Sequence, residues 1–352
     1  MKIINGIQQI GIGVKDVKAV FNWYRKYLGF DVLLFNDEAT ANLMTQYTAN
    51  CAQRRIAFLA LNMIGGGGLE IWQFKDRTPE SPKKEIVLGD LGIHIMKLRS
   101  KNITAIHGIL QGQDIKLLSD IESVDSGRHF FFQDPWNNMV QVIADDYCFD
   151  RSKSDSGGVM GVSLGVSDMN TSIRFYKELL GFDHIVYDEA KVFDDFNMLP
   201  GGMENYRRVL LRRSAKNIGG FGQLLGPCEL ELIQAMDRNP CKIYEDRLWG
   251  DLGYIHLCFD VSGMDAHRKD AKAIGHEFTV DSADSFDMGD AAGHFSYVED
   301  PDGTLLEFVE THKVPILKKL GIFINMKKRS PLKPLPKWLV KAMKVHRVRK
   351  DI

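Results

Sequence analysis

Apolar positions along this chain follow two rhythms, and the pair of rhythms recurs. "IGIGVKD" at 10–16 and "VSLGVSD" at 162–168 alternate apolar with small or polar residues, which is the period of a strand. Each run ends at an Asp suited to cap a helix. Directly after them, "FNWYRKYLGF" at 21–30 and "IRFYKELLGF" at 173–182 place apolar residues at helical spacing. Phe21, Tyr24 and Leu28 form the first apolar stripe, and Ile173, Tyr176 and Leu180 the second. Gly29 and Gly181 stand where a left-handed residue closes a helix. The chain therefore writes one strand–helix–strand unit twice, and such a repeat governs how the fold is read.

The repeat has a finer grain. Strands are predicted at about 56–63 and 69–74, then a polar stretch, "KDRTPESPKKE". "GDLGIHIMKL" opens another unit, with a helix at about 101–112 and strands at about 128–133 and 138–144 around "QDPWNN". In the second half, "GDLGYIHLCFDV" at 250–261 leads to a helix at about 263–275 and the hairpin "HFSYVEDPDGTLLEFVE" at 294–310. In "DPDG", Pro presets φ and Gly supplies a positive φ. "GGGG" at 65–68 precedes a strand and no helix, so it reads as a hairpin loop rather than a phosphate cradle. The pattern predicts an α+β chain of four βαβββ units in two modules, residues 1–149 and 158–312. The linker "DRSKSDSGG" joins them, and residues 313–352 form a tail.

Composition narrows the class. The 352 residues are 44% hydrophobic and 26% charged, as in a soluble globular protein. No run approaches the roughly 18–20 apolar residues of a membrane helix. Gln8 and Gln9 make the first segment too polar for a signal peptide, so it reads as the first strand. Five scattered cysteines without C-x-x-C argue for a reducing compartment, and a cytoplasmic location is expected. A net charge of −1 hides an asymmetry, because residues 313–352 carry thirteen Lys and Arg against one Asp. The tail has two readings: a cationic strap on an acidic body, or a peripheral membrane contact through Trp338, Leu339, Val340, Met343 and nearby lysines. Nucleic acid is not an expected partner, since the body is acidic and no reading module is present.

The recurring "V-x-D…Y…LGF", the His-bearing strand openings "GIHIMKL" and "GYIHLCFDV", and "DPDG…LEF" together resemble the vicinal oxygen chelate superfamily of glyoxalases, epimerases, extradiol dioxygenases and bleomycin-resistance proteins. The resemblance spans residues 1–312. It implies curved sheets built from paired units, each with a concave face able to hold one divalent metal ion: Zn, Ni, Co, Mn, Mg or Fe(II). The ligand slots it implies are Gln9, Glu70, His94 and Gln141 in the first half and Gly161, Glu231, His256 and Glu307 in the second. Carboxylates in otherwise apolar strands are costly unless something compensates them, and Glu70, Glu231 and Glu307 all sit so.

Two pairings of the units remain open at this point. Crosswise pairing unites Gln9, Glu70, His256 and Glu307, a set similar to the eukaryotic glyoxalase I site. It leaves His94, Gln141, Gly161 and Glu231 as a degenerate cup. Sequential pairing leaves Glu231, His256 and Glu307 together, and Gln9, Glu70, His94 and Gln141 as a second site. Since Gln8 and Gln9 are adjacent in a strand, one of the two is expected to point inward. The resemblance implies a small carbonyl substrate and an isomerase, epimerase or lyase reaction, with Glu307 as the first choice of base and Glu70 as the second. Position 13 is Gly, where the family's glutathione-binding Arg stands, which speaks against a glutathione-dependent glyoxalase. Arg207, Arg208, Arg212 and Arg213 either frame an anionic substrate or form a solvated strand face. The competing functions are an extradiol-type ring-cleavage dioxygenase, weakened by Gly161 where a His is required, and a non-catalytic small-molecule binding protein. Whether the chain forms a homodimer is open from sequence.

Overall fold

The computed structural model describes residues 2–113, 115–124, 127–151, 154–283, 286–288, 291–317 and 322–352. The first unit runs β1 (Ile3–Gly13), α1 (Val17–Leu28), β2 (Val32–Thr40), β3 (Arg54–Leu61) and β4 (Gly68–Phe74). The second runs β5 (Gly92–Ser100), α2 (Ile103–Gln111), β6 (Glu122–Val124), β7 (Gly127–Gln133) and β8 (Met139–Ala144). The third comprises β9 (Ser156–Gly165), α3 (Met169–Leu180), β10 (His184–Lys191), β11 (Tyr206–Arg212), the single turn α4 (Gly222–Leu225) and β12 (Glu229–Ala235). The fourth comprises β13 (Gly253–Ser262), α5 (Met264–Ala273), β14 (Val280–Asp281), β15 (Phe286–Met288), β16 (Ala291–Glu299) and β17 (Leu305–Thr311). The tail adds β18 (Lys313–Leu317), β19 (Ile322–Asn325) and α6 (Lys337–Ala342).

The caps are those the sequence predicts. Asp16 accepts hydrogen bonds from the Lys18 and Ala19 amides at 3.0 Å, and Asp168 from the Thr171 amide at 2.6 Å. Gly29 and Gly181 close the two helices at φ +70° and +71°, where a side chain would be strained.

The units pair crosswise. One sheet has the order β14-β16-β17-β13-β1-β4-β3-β2, with β15 on β16, and so joins the first unit to the fourth. The other, β10-β11-β12-β9-β5-β8-β7-β6, joins the second to the third. Each sheet therefore takes one unit from residues 1–149 and one from 158–312, and neither sequence half closes a sheet of its own. Antiparallel β1–β13 and β5–β9 ladders make the two joints. The sheets meet where the β3–β4 loop touches β9. Gly67 and Val159 exchange backbone hydrogen bonds of 2.7 and 2.9 Å there. A Cβ on Gly66 would lie 2.6 Å from the Gly158 carbonyl carbon, which is why glycine fills this hairpin loop. One continuous apolar core, with Ile10, Phe21, Tyr24, Val140, Tyr176 and Phe308 among its members, draws on both sheets and all four unit helices.

The tail lies across the body as a strap. Leu335, Leu339 and Val340 are buried against Leu59, Leu61 and Phe149. Lys341 and Lys344 hold Asp150 at 2.8 and 2.7 Å, and Arg347 holds Asp31 at 2.9 Å. Burying each such aliphatic side chain stabilises the dock by roughly 1.5–3 kcal/mol, more than the partly exposed ion pairs contribute. Among the described residues, no helix is long and apolar enough to cross a membrane.

Candidate metal centre

Four neighbouring strands of the first sheet, β4, β1, β13 and β17, carry Glu70, Gln9, His256 and Glu307. In a flat sheet β4 and β17 would stand about 14 Å apart. Yet His256 Nε2 lies 3.1 Å from a Glu70 oxygen and 3.3 Å from a Glu307 oxygen. The sheet curls, and these long side chains meet inside the curl. Gln9 Nε2 donates to Glu70 Oε2 at 2.8 Å and reaches Glu307 Oε2 at 3.5 Å. His256 is fully buried, and Gln9, Glu70 and Glu307 are each under 10% exposed.

Two local features set this geometry. A β-bulge between Ile7 and Gln9 breaks the alternation of β1, so both glutamines reach the same face. Gln9 turns to the carboxylates, while Gln8 donates to Asp260 Oδ2 at 3.4 Å and accepts from Cys258 at 3.4 Å. This corrects the expectation that one glutamine alone points inward. Gly11 is the second feature, because a Cβ there would sit 2.4 Å from His256 Cε1. The imidazole lies close against the bare glycine backbone.

The centre is electrostatically incomplete as a set of protein groups. Burial pushes the Glu307 carboxyl up to about 7; His256 opposes this and the Glu70 charge adds to it. Burial also acts to raise Glu70, but its contact with His256 wins and holds it below the usual carboxylate range. Burial acts to lower His256, and the two glutamates raise it instead. Neither ring nitrogen of His256 has a hydrogen bond of good geometry among the described residues. One ligand atom each from Glu70, His256 and Glu307 falls within a 4.8 Å span. Two carboxylates and an imidazole whose nitrogens have no hydrogen bond of good geometry suit a divalent ion, and the Gln9 amide can offer its oxygen after a half-turn.

Trp72, Phe74, Trp249 and Tyr297 wall the centre, with Trp72 and Trp249 centroids 4.5 Å apart. Cys258 and Asp260 follow His256 on the same face. The Cys258 sulfur lies against Glu307, and burial keeps the thiol protonated. Sequence reasoning passed over Cys258, although its place two residues after His256 marks it by period-2 spacing. From Gln8 the polar line continues through Asp260 to Asn5 and a cavity of about 280 Å³, lined by Asn5, Asp260, Ser262, Glu310, Arg329 and Lys333.

The other candidate residues lie in the second sheet, so Glu231, His94 and Gln141 do not join His256. Glu231 stands where Glu70 does, since it pairs Ser163 as Glu70 pairs Gly11. Its carboxylate is fully engaged: Ser163 Oγ at 2.6 Å, Arg208 Nε at 2.7 Å, Lys97 Nζ at 3.6 Å, and the Tyr187 hydroxyl. Burial acts to raise its pKa, and the Arg208 and Lys97 charges outweigh that and hold it far below the usual range. Ile95 takes the place of His256, pairing Ser163, and His94 sits one position earlier. Burial pushes His94 down to about 4. Gln141 faces Lys97 as Glu307 faces Cys258. The four arginines at 207–213 neither frame a ligand nor form one solvated face. Arg208 is buried on Asp195 and Glu231, Arg212 holds Glu229, Arg207 holds Asp188, and Arg213 donates to the Ile4 carbonyl.

Known proteins agree with this architecture. The chain spans 88% of its own length and 92% of the other in a match to glyoxalase I from Zea mays, at 15% identity and a TM-score of 0.54. A putative dioxygenase from Bacillus subtilis matches over 99% of this chain and 98% of that one, at 12% identity and a TM-score of 0.55. At these identities the likeness is one of fold. No curated protein sequence matches the chain. The family model of the glyoxalase/bleomycin resistance protein/dioxygenase superfamily matches residues 6–142 and 159–308, and the chain belongs to that superfamily.

Proposed function

We propose that the chain is a divalent-metal-dependent enzyme that moves a proton next to a carbonyl, in an isomerase, epimerase or lyase reaction on a small substrate. The observation that supports this most is the convergence of Gln9, Glu70, His256 and Glu307 from two distant units into one buried cluster of polar side chains. Glu70, His256 and Glu307, with the Gln9 amide, are the residues that would hold the ion. A divalent ion there supplies Lewis-acid stabilisation of the oxygen charge that develops as an α-proton leaves.

The protein's own groups do the rest. Glu307 is the proposed base: the Cys258 thiol and the Tyr297 hydroxyl lie against its carboxylate and orient it. Glu70 is tied to Gln9 and His256 and so is the poorer candidate. Trp72, Trp249 and Tyr297 exclude water from the reacting carbon and give an apolar wall to the substrate. A set with one imidazole and two carboxylates departs from the two-His, one-Glu set that a ring-cleaving dioxygenase needs, so the proton-transfer reading is preferred.

The test couples metal analysis to proton exchange. Protein purified without chelator is expected to hold about one divalent ion per chain, lost in His256→Ala. Metal-loaded protein is then incubated in D₂O with α-hydroxy- and α-keto-carbonyl compounds. Exchange of the α-proton that vanishes in Glu307→Gln supports the reading. Absence of bound metal after reconstitution overturns it and leaves a binding protein.

A further inference from the structure

We propose that the outer face of the C-terminal strap is a docking surface for an anionic lipid bilayer. The strap spends only part of its charge on the body. Lys341, Lys344 and Arg347 pair with Asp150 and Asp31. Lys328, Lys333, Lys337, Arg349 and Lys350 are exposed and have no carboxylate partner among the described residues.

The apolar residues beside them are divided by face. Residues 337–346 form one helical run, α6 continued by a 3₁₀ turn. Leu339 and Val340 point to the body and are buried. Trp338 and Val345 lie seven residues apart, on the same side of that run, and are 64% and 82% exposed. Leu332 and Phe323, elsewhere in the tail, are 43% and 41% exposed. A buried strap needs neither an exposed tryptophan nor surplus cations. An indole flanked by lysines on an outward helical face matches the bilayer interface, where the ring sits at headgroup level and the cations meet acidic lipids. The inner side, anchored by Leu339 and Val340, keeps the outer side presented.

This surface is independent of the metal centre, which lies inside the curl of the first sheet. The test is co-sedimentation of full-length protein with vesicles of phosphatidylcholine alone and with vesicles containing about 30% phosphatidylserine. Partition into the acidic vesicles is expected, with loss at about 0.5 M salt as screening sets in. Trp338→Ala should weaken it, and so should the pair Lys337→Gln and Lys350→Gln, by about fivefold per cation removed. Unchanged metal content and thermal midpoint show that these surface variants remain folded. Failure of the wild type to bind acidic vesicles at low salt overturns the proposal. So does equal binding by the variants, or binding to heparin without binding to vesicles.

Discussion

The Tyr24 hydroxyl donates to Asp134 Oδ2 at 2.8 Å, and Tyr176 repeats the contact on Asp300 at 2.8 Å. Each tyrosine lies on the first helix of an odd unit, and each aspartate opens the β-hairpin turn of the next unit. Asp134 also accepts from the Trp136 and Asn138 amides, and Asp300 from those of Asp302 and Thr304. The two units of each sequence half are thus tied through a helix and a turn, while the sheets are built across the halves. Tyr24→Phe or Tyr176→Phe removes a hydrogen bond to a buried carboxylate and should cost about 2 kcal/mol, measured by urea unfolding. A loss under 0.5 kcal/mol would show that the tie is not structural.

The two sheets should respond differently to loss of a carboxylate. Glu70→Gln and Glu307→Gln are expected to lower bound metal, and Gln9→Ala to weaken its affinity by a smaller factor. Glu231→Gln should leave metal content unchanged. Equal loss in the Glu231 variant, by elemental analysis, would place the ion elsewhere.

Lys97 lies 2.6 Å from Glu229 and 3.6 Å from Glu231, with all three buried. Lys97→Met leaves both carboxylates short of a countercharge and should destabilise the fold by about 3–5 kcal/mol. Chemical denaturation reads the loss. Its metal stoichiometry should match the wild type.

Gly11→Ala would bring a methyl onto His256. The expected result is a folded protein whose metal affinity falls by about 10–100-fold, as when an orienting neighbour of a ligand is lost. Competition with a chromogenic chelator measures it, and an unaltered affinity would show that the imidazole has room to move.

Stability of the metal-free protein should depend on pH with a definite sign. Glu307, raised to about 7, stays protonated in the fold while the unfolded chain ionises near 4.5. Its contribution to stability therefore declines from about pH 4.5 to 7. His256 is also raised, so its contribution is present at low pH and is lost as pH rises through the folded value. Glu70 is lowered, and its contribution is lost only as pH falls below the normal carboxylate range. Thermal melts should show the chelated protein losing stability between about pH 4.5 and 7, a window set by the Glu307 shift, and the metal-loaded protein gaining on it. A flat difference would argue against ion binding by these groups.

Much of this was legible in the sequence, for a local reason. Helical spacing gave α1 and α3, and the Asp and Gly punctuation gave their ends, because caps and left-handed residues act within one turn. The family resemblance marked Glu70, His256 and Glu307 as ligand slots, and the apolar strands around Glu70, Glu231 and Glu307 marked those carboxylates as costly without a partner. What the sequence left open was the partner of each unit. β1 and β9 carry equivalent apolar faces, so either pairing satisfies the pattern. Only the assembled β1–β13 and β5–β9 ladders decide it. The bulge that brings in Gln8 as well as Gln9, and the filling of the second cup by Lys97 and Arg208, likewise depend on contacts between residues far apart in the chain. Alternation along one strand carries the identity of a face, and what stands opposite that face belongs to the tertiary structure alone.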